Sequence, residues 1–198
     1  HLVHAALKKV LGDHVKQKGS LVDEHKLRFD FSHDESLSDD EISKIEDLVN
    51  QEILKNSSVS TKIMDLEDAK NSGAESLFGE KYEDQVRVLS IGEDDFSLEL
   101  CGGTHISRTG DLGIFIITSQ SSVASGIRRI EALSGPRAQE YLSNLKNQTI
   151  QLQKLLNAPA EEIEDKVSKL LKENKSLKKG GKTAKAATIK SSNTHDID

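Results

Sequence analysis

A chain of 198 residues with 35% hydrophobic, 30% charged and 4% aromatic content has material for one sizeable core and a further polar portion outside it. Its formal net charge of −6 excludes a large uniform footprint for nucleic acid, although local patches can still hold phosphate. No apolar run approaches the ~20 residues that cross a bilayer, and the start lacks the basic, apolar, small-residue progression of a secretory leader. The single cysteine excludes an internal disulfide. A cytoplasmic protein without a membrane partner is expected, and the leading histidine in place of methionine suggests a piece of something longer.

Leu2 to Leu11 predicts a helix stopped at Gly12, with apolar rows Leu2, Ala6, Val10 and Val3, Leu7, Leu11. His1 and His4 fall one turn apart on it. His14 to Val22 and Leu27 to Phe31 alternate apolar and polar residues around Asp23-Glu24-His25, which predicts a β-hairpin. A helix follows from Asp39 to Lys55: Ser38 can cap it while Glu41 reaches back, and Ile42, Ile45, Leu48, Val49 and Ile53 form its buried stripe.

Val59 to Leu66 reads as a strand, and Leu66 to Ser72 as a short helix leading into loops at Gly73 and Gly79. Strands are expected at Val86 to Ile91, Phe96 to Leu100, Gly113 to Ser119 and Gly126 to Leu133, the last following Ser121 to Ser125. Strands and helices mix without regular βαβ alternation. The expected class is therefore α+β, a mixed or antiparallel sheet packed with helices. Gly135-Pro136 opens a helical arm whose stripe runs through Leu142, Leu145, Thr149, Leu152 and Leu156. After Pro159 it resumes with Ile163, Val167, Leu170 and Leu177, as a folded hairpin or a kinked rod. The domains expected are 1–135, a helical arm over 136–179 capable of self-association, and a disordered tail over 180–198.

Charge is unevenly placed. Acidic residues crowd Asp34 to Asp47 and Glu80 to Asp95, whereas Lys166 to Lys190 holds nine lysines against one acidic residue, Glu173. That basic end can touch a polyanion or simply solvate a helix face.

Chemistry concentrates at Cys101-Gly-Gly-Thr-His105, where a thiolate and an imidazole four residues apart can grip one zinc ion. The two intervening glycines let the backbone fold tightly and aim those ligands. Two ligands are too few for a zinc site, and His1 and His4 are the nearest further candidates. No GxxxxGK[ST] follows a strand into a helix, because Gly180-Gly-Lys-Thr183 lies in the low-complexity tail. The serines from Ser119 to Ser125 have no histidine and acid in a recognised order, so serine nucleophile chemistry is not expected.

Leu98-Glu-Leu-Cys-Gly-Gly-Thr-His105, Thr109-Gly-Asp-Leu-Gly-Ile-Phe115 and Ser125-Gly-Ile-Arg-Arg-Ile-Glu-Ala132 together closely resemble the editing domain of the alanyl-tRNA synthetase family. His1-Leu-Val-His-Ala-Ala-Leu7 and Gly12-Asp-His-Val-Lys-Gln-Lys-Gly-Ser20 resemble that family's first editing segment. The resemblance covers roughly His1 to Arg137, and the arm beyond is similar to the start of the family's C-terminal oligomerisation region. Several motifs in order make it specific, where a CxxxH pair alone would be weak. A free-standing editing protein shares the architecture, as more distantly does threonyl-tRNA synthetase.

The resemblance implies a zinc ion held by His1, Cys101 and His105, with a further family histidine falling four positions before residue 1, so weaker binding is expected here than in the intact site. His4 can substitute or pack as a helix histidine. It also implies hydrolysis of the ester joining serine or glycine to the 3′ end of tRNA(Ala). A site for alanine cannot strongly exclude glycine or serine, because one methyl or hydroxyl is worth only ~1 to 3 kcal/mol. Gln17 and Ser20 match polar positions of the editing pocket, and Gln17 can hold the serine hydroxyl or the terminal ribose. Thr104 can bond a ligand carboxylate or finish the turn.

Arg128 and Arg129 alternate across a strand and face opposite ways. Arg128 is the better candidate to clamp a tRNA phosphate, the alternative being a salt bridge to Glu131 or Glu99. Lys16 and Lys18 can add backbone contacts. ATP and Mg2+ are expected only for an aminoacylation domain absent from this chain. The competing class is a non-catalytic tRNA-binding or assembly module.

Overall fold

The computed structural model of the chain describes residues 1–76, 82–92 and 95–191, the stretch 180–191 through its backbone alone. The expected loop at Gly79 and the acidic residues Glu80, Glu93 and Asp94 lie outside the described residues. The chain divides into two units, residues 1–141 and 142–198.

Helix α1 (Leu2–Leu11) buries Leu2, Val3, Ala6 and Leu7, the face its 3.6-residue period dictates. It ends where Gly12 takes φ 113°, a value that disfavours any side chain, and the Gly12 N–H donates to the Lys8 carbonyl at 2.8 Å. Strands β1 (Gln17–Val22) and β2 (Leu27–Ser32) form the expected hairpin. Helix α2 (Asp39–Lys55) begins with the expected capping box: the Glu41 N–H donates to Ser38 Oγ at 3.3 Å and the Ser38 N–H to Glu41 Oε2 at 2.8 Å. Ile45, Val49 and Ile53 are buried, while Ile42 and Leu48 pack at the margin of the core.

The remaining elements of the first unit are β3 (Val59–Asp65), α3 (Leu66–Asn71), β4 (Gln85–Ile91), β5 (Ser97–Leu100), a 3-10 turn (Thr109–Leu112), β6 (Phe115–Ala124) and β7 (Ile127–Ser134). One antiparallel sheet has the order β1-β2-β7-β6, the other β3-β4-β5. The α+β expectation holds, the named strands pairing antiparallel while Glu75 adds an isolated parallel bridge to Glu99 of β5. Strand β6 runs on through Ser121–Ala124, where the serine-rich sequence reads as a connection. The turn to β7 is therefore short, with Gly126 at φ 70°.

Strand β4 separates two cores by its alternation. Val86 and Val88 join Ala69 and Leu100 in a small cluster, while Leu89 and Ile91 join the main core of α1, α2 and the four-stranded sheet. On the outer face of that sheet a charged ladder forms instead. Arg129 and Asp30, directly opposite across β7 and β2, make a bidentate pair at 2.6 and 2.8 Å, and Lys26 meets Glu131 at 2.5 Å.

Helix α4 (Gly135–Leu156) starts at the Gly135-Pro136 pair, and α5 spans Ile163–Ser191. Between them Asn157 turns left-handed at φ 47° and Pro159 precedes a short 3-10 turn, Ala160–Glu162, so the arm is two helices. Residues 192–198 of the expected tail lie outside the described residues. No described helix is long and apolar enough to cross a membrane.

Candidate metal centre

Strand period two and helix period three to four bring the ligand types together. Glu99 on β5 stands directly opposite Leu89 on β4, so both project from one face toward the main core. Two residues on, Cys101 continues that face, its N–H donating to the Arg87 carbonyl at 3.1 Å. Helix α1 meets β5 from this side and presents His1 and His4, one turn apart.

His1, Cys101 and His105 converge: one ligand atom from each lies within 4.8 Å of the others, and all three side chains are half-buried. The two Nε2 atoms of His1 and His105 are 3.3 Å apart. A tetrahedral ion with nitrogen bonds of ~2.0–2.1 Å spaces two nitrogen ligands by ~3.3–3.4 Å, so the imidazoles already stand at the separation such an ion requires. Thiolate plus imidazole suits a borderline-soft divalent ion, and three protein ligands leave a position for water or substrate.

Behind the ligands stands Glu99, buried and bonded on both oxygens: Oε2 to His1 Nδ1 at 2.6 Å and Oε1 to His4 Nδ1 at 3.1 Å. Ser97 Oγ adds a third bond at 3.2 Å. Burial alone would raise this carboxyl, yet the hydrogen bonds from His1 and His4, helped by their charge, bring it down to about 2. Burial also pushes the His105 imidazole below its ordinary range; the His1 and Arg87 charges push the same way and Glu99 opposes them. Arg87 reaches the Gly102 carbonyl at 3.3 Å and His105 Nδ1 at 3.5 Å.

His4 is not part of the converging set. Its Nδ1 is committed to Glu99, its ring leans on Phe29 at 5.6 Å between centroids, and its buried Nε2 has no hydrogen-bond partner among the described residues, the Glu75 carboxylate standing 3.8 Å away. Gly102 and Gly103 lie between the two ligands of the loop. Neither adopts a left-handed φ; a Cβ on Gly103 would lie 3.6 Å from Cys101 Sγ and 3.9 Å from His105 Nε2, ordinary contact distances, and one on Gly102 would meet nothing within 4 Å. Thr104 is exposed.

Gln17 and Ser20 are joined to each other, Gln17 Nε2 donating to Ser20 Oγ at 3.1 Å across a bulge between Gln17 and Gly19. The bulge puts residues three apart on one face, that of Phe31 and Phe29 opposite them. Phe29 in turn touches His4, which places the pair on the α1 side of the sheet. Among the described residues no hydrogen bond or ring contact links either one to His1, Cys101 or His105. A cleft of about 270 Å³ includes His4, Lys8, Glu75 and Glu99 in its lining, but neither Gln17 nor the three ligands.

Arg128 stands in the row Gln17, Phe31, Arg128, Ser122 across the four strands, on the opposite face from Arg129 as expected. Its partner is Gln120 Oε1 at 3.2 Å, while Arg129 holds Asp30; neither makes the bond to Glu131 or Glu99 considered from sequence. Sequence reasoning missed the roles of Glu99 and Arg87. The one available signal was a lone acid between apolar residues in a strand, Ser97-Leu-Glu-Leu100.

Residues 86–131 match the family described as the threonyl and alanyl tRNA synthetase second additional domain. The chain is 52% identical over 192 residues to an alanine–tRNA ligase of Saccharophagus degradans, covering 97% of this chain and 22% of that protein. Its relatives are alanine–tRNA ligases. Those of Ruthia magnifica and Pseudomonas fluorescens are 50% and 52% identical over 89% and 90% of the chain. The chain spans about a fifth of the length of these curated relatives, 20% to 22%.

Proposed function

We propose that this segment carries a zinc-dependent proofreading site that hydrolyses Ser-tRNA(Ala) or Gly-tRNA(Ala), as part of a cytoplasmic protein whose other segments attach alanine to tRNA(Ala) with ATP and Mg2+. The convergence of His1 at the start of α1 with Cys101 and His105 after β5, in a relative of alanine–tRNA ligases, carries the reading.

In the overall reaction water adds to the ester carbonyl carbon, the bond from that carbon to the ribose oxygen breaks, and a proton goes to the departing ribose oxygen. The ion held by His1, Cys101 and His105 supplies Lewis acidity for orienting the substrate or activating water. The protein's own groups do the rest. Glu99 is ionised at neutral pH and fully engaged by two imidazoles, so it serves as an orienting acceptor and has no proton to give. Gln17, with donor and acceptor on one amide, holds the serine hydroxyl or terminal ribose, and Ser20 fixes that amide. Arg128 contacts a phosphate of the acceptor end. The helical arm offers a self-association surface, since Leu145, Leu152, Leu155, Leu170 and Leu177 are exposed along it.

The test is deacylation of Ser-tRNA(Ala) by the zinc-supplemented chain and by Cys101→Ala. Loss of a metal ligand is expected to lower the rate by at least about 100-fold. Equal rates would refute the metal role, and no hydrolysis by either with tRNA binding retained would favour a binding module.

A further inference from the structure

We infer that Glu99 is a positioning residue that fixes the proton of His1 on Nδ1 and so leaves Nε2 bare at the ligand position, with His4 holding the Glu99 carboxylate in place. The inference rests on the metal reading above and assigns roles to Glu99 and His4, which lie outside the converging ligand set.

The argument is one of donors and acceptors. A carboxylate only accepts, so each nitrogen facing it must carry hydrogen. Glu99 Oε2 faces His1 Nδ1 at 2.6 Å and Oε1 faces His4 Nδ1 at 3.1 Å. A neutral imidazole has one N–H, hence His1 with hydrogen on Nδ1 presents a lone pair at Nε2. At the far end stands Arg87, a group that only donates, with His105 Nδ1 at 3.5 Å. In the ion-free structure His105 Nε2 lies 3.3 Å from His1 Nε2, and that nitrogen must be bare to serve as the second imidazole ligand. The Glu99 bond by itself makes His1 Nε2 the bare nitrogen.

His4 explains why the carboxylate holds its orientation. A single bond to His1 would let the group rotate; the second, to a histidine one turn further along the same helix, pins both oxygens, and Ser97 Oγ adds to Oε1. Nδ1 of His4 must donate whether the ring is neutral or charged. Outer partners of this kind are worth about 10- to 100-fold in metal affinity.

Two measurements test it. The first uses 15N-labelled, zinc-free chain at a pH well above the ordinary histidine range, with His1 assigned through His1→Gln. The ring nitrogens of His1 are expected to show hydrogen on Nδ1 and none on Nε2; hydrogen on Nε2 would overturn the inference. The second compares zinc affinity of the chain, Glu99→Gln and Cys101→Ala by competition with a chelator. Glu99→Gln is expected to weaken zinc by about 10- to 100-fold, with part of His1 shifting to the Nε2–H form. A folded Glu99→Gln variant with unchanged affinity would sink the inference. Should that variant fail to fold, the first measurement still decides. If the chain and Cys101→Ala bind zinc equally, it is the metal reading that fails, and the His1 proton still reports separately.

Discussion

Two buried carboxylates of the first unit, Glu52 and Glu99, do different work. Glu52 is 1% exposed near the end of α2, where Lys55 Nζ meets Oε2 at 2.7 Å and Ser57 Oγ meets Oε1 at 3.2 Å. Its partners come from the next turn and the loop beyond. Around it, Thr109 Oγ1 donates to the Glu52 carbonyl at 2.8 Å and accepts the Ser57 N–H at 2.9 Å, tying the helix end to the 3-10 turn. Gly92 completes the enclosure, since a Cβ there would stand 2.5 Å from Glu52 Oε1. Glu99 is 6% exposed but finds its partners at α1, 98 and 95 residues earlier in the chain, and they are imidazoles with a second nitrogen left to use. A buried acid whose partners are saturated locally is a brace. One whose partners keep a free ligand atom organises chemistry.

The comparison breaks most visibly through Glu52. Glu52→Ala leaves a void beneath Gly92 and strips Ser57 of its acceptor, and a destabilisation of about 2–4 kcal/mol is expected from urea unfolding. Zinc affinity of the folded variant should match the parent. A drop in zinc affinity without unfolding would erase the distinction between the two acids.

Acid sharpens it. The folded Glu99 carboxyl lies at about 2, below the ordinary 4.5, so the native state binds this proton less readily than the unfolded chain. Its contribution to stability is therefore complete above the ordinary glutamate range and lost as pH falls from about 4.5 toward about 2. Urea midpoints across that window should fall less steeply for Glu99→Gln than for the parent. Parallel curves would mean that the two histidine bonds do not hold the carboxylate ionised.

How much was legible in the chain follows the range of the interactions. Helix α2 could be read from Ser38 to Lys55 because its cap and stripe lie within its own residues. The site's ligands were reached through the resemblance carried by motifs around His1 and Cys101, and those residues do converge. Glu99 as a fork between His1 and His4 was not legible, because it depends on the register that sets Glu99 opposite Leu89 and on where α1 meets β5. The Arg129–Asp30 pair escaped for the same reason: it exists only through β2–β7 pairing, which no local pattern announces. Strand β6 shows the converse, its serines continuing the ladder because β7 offers partners back to Ile127.

Asp30 supplies the mildest test, a third carboxylate between the two extremes. Like Glu99 it is bonded to a residue far along the chain, at 2.6 and 2.8 Å, but Arg129 is a terminal partner with no ligand atom to offer and lies at the solvent-facing surface of the sheet. The Arg129 bonds, working against burial, hold the Asp30 carboxyl below its usual range, so the pair contributes above that range and its contribution fades as acid protonates Asp30. Solvent and salt screen such a pair. Asp30→Asn should accordingly lower the melting temperature at neutral pH by only a few degrees, the gap narrowing in high salt and at low pH, with zinc affinity unmoved. If the loss instead matched that of Glu52→Ala, sequence-distant pairing would itself be a main source of stability here, and the contrast between brace and organiser would rest on the free ligand atoms alone.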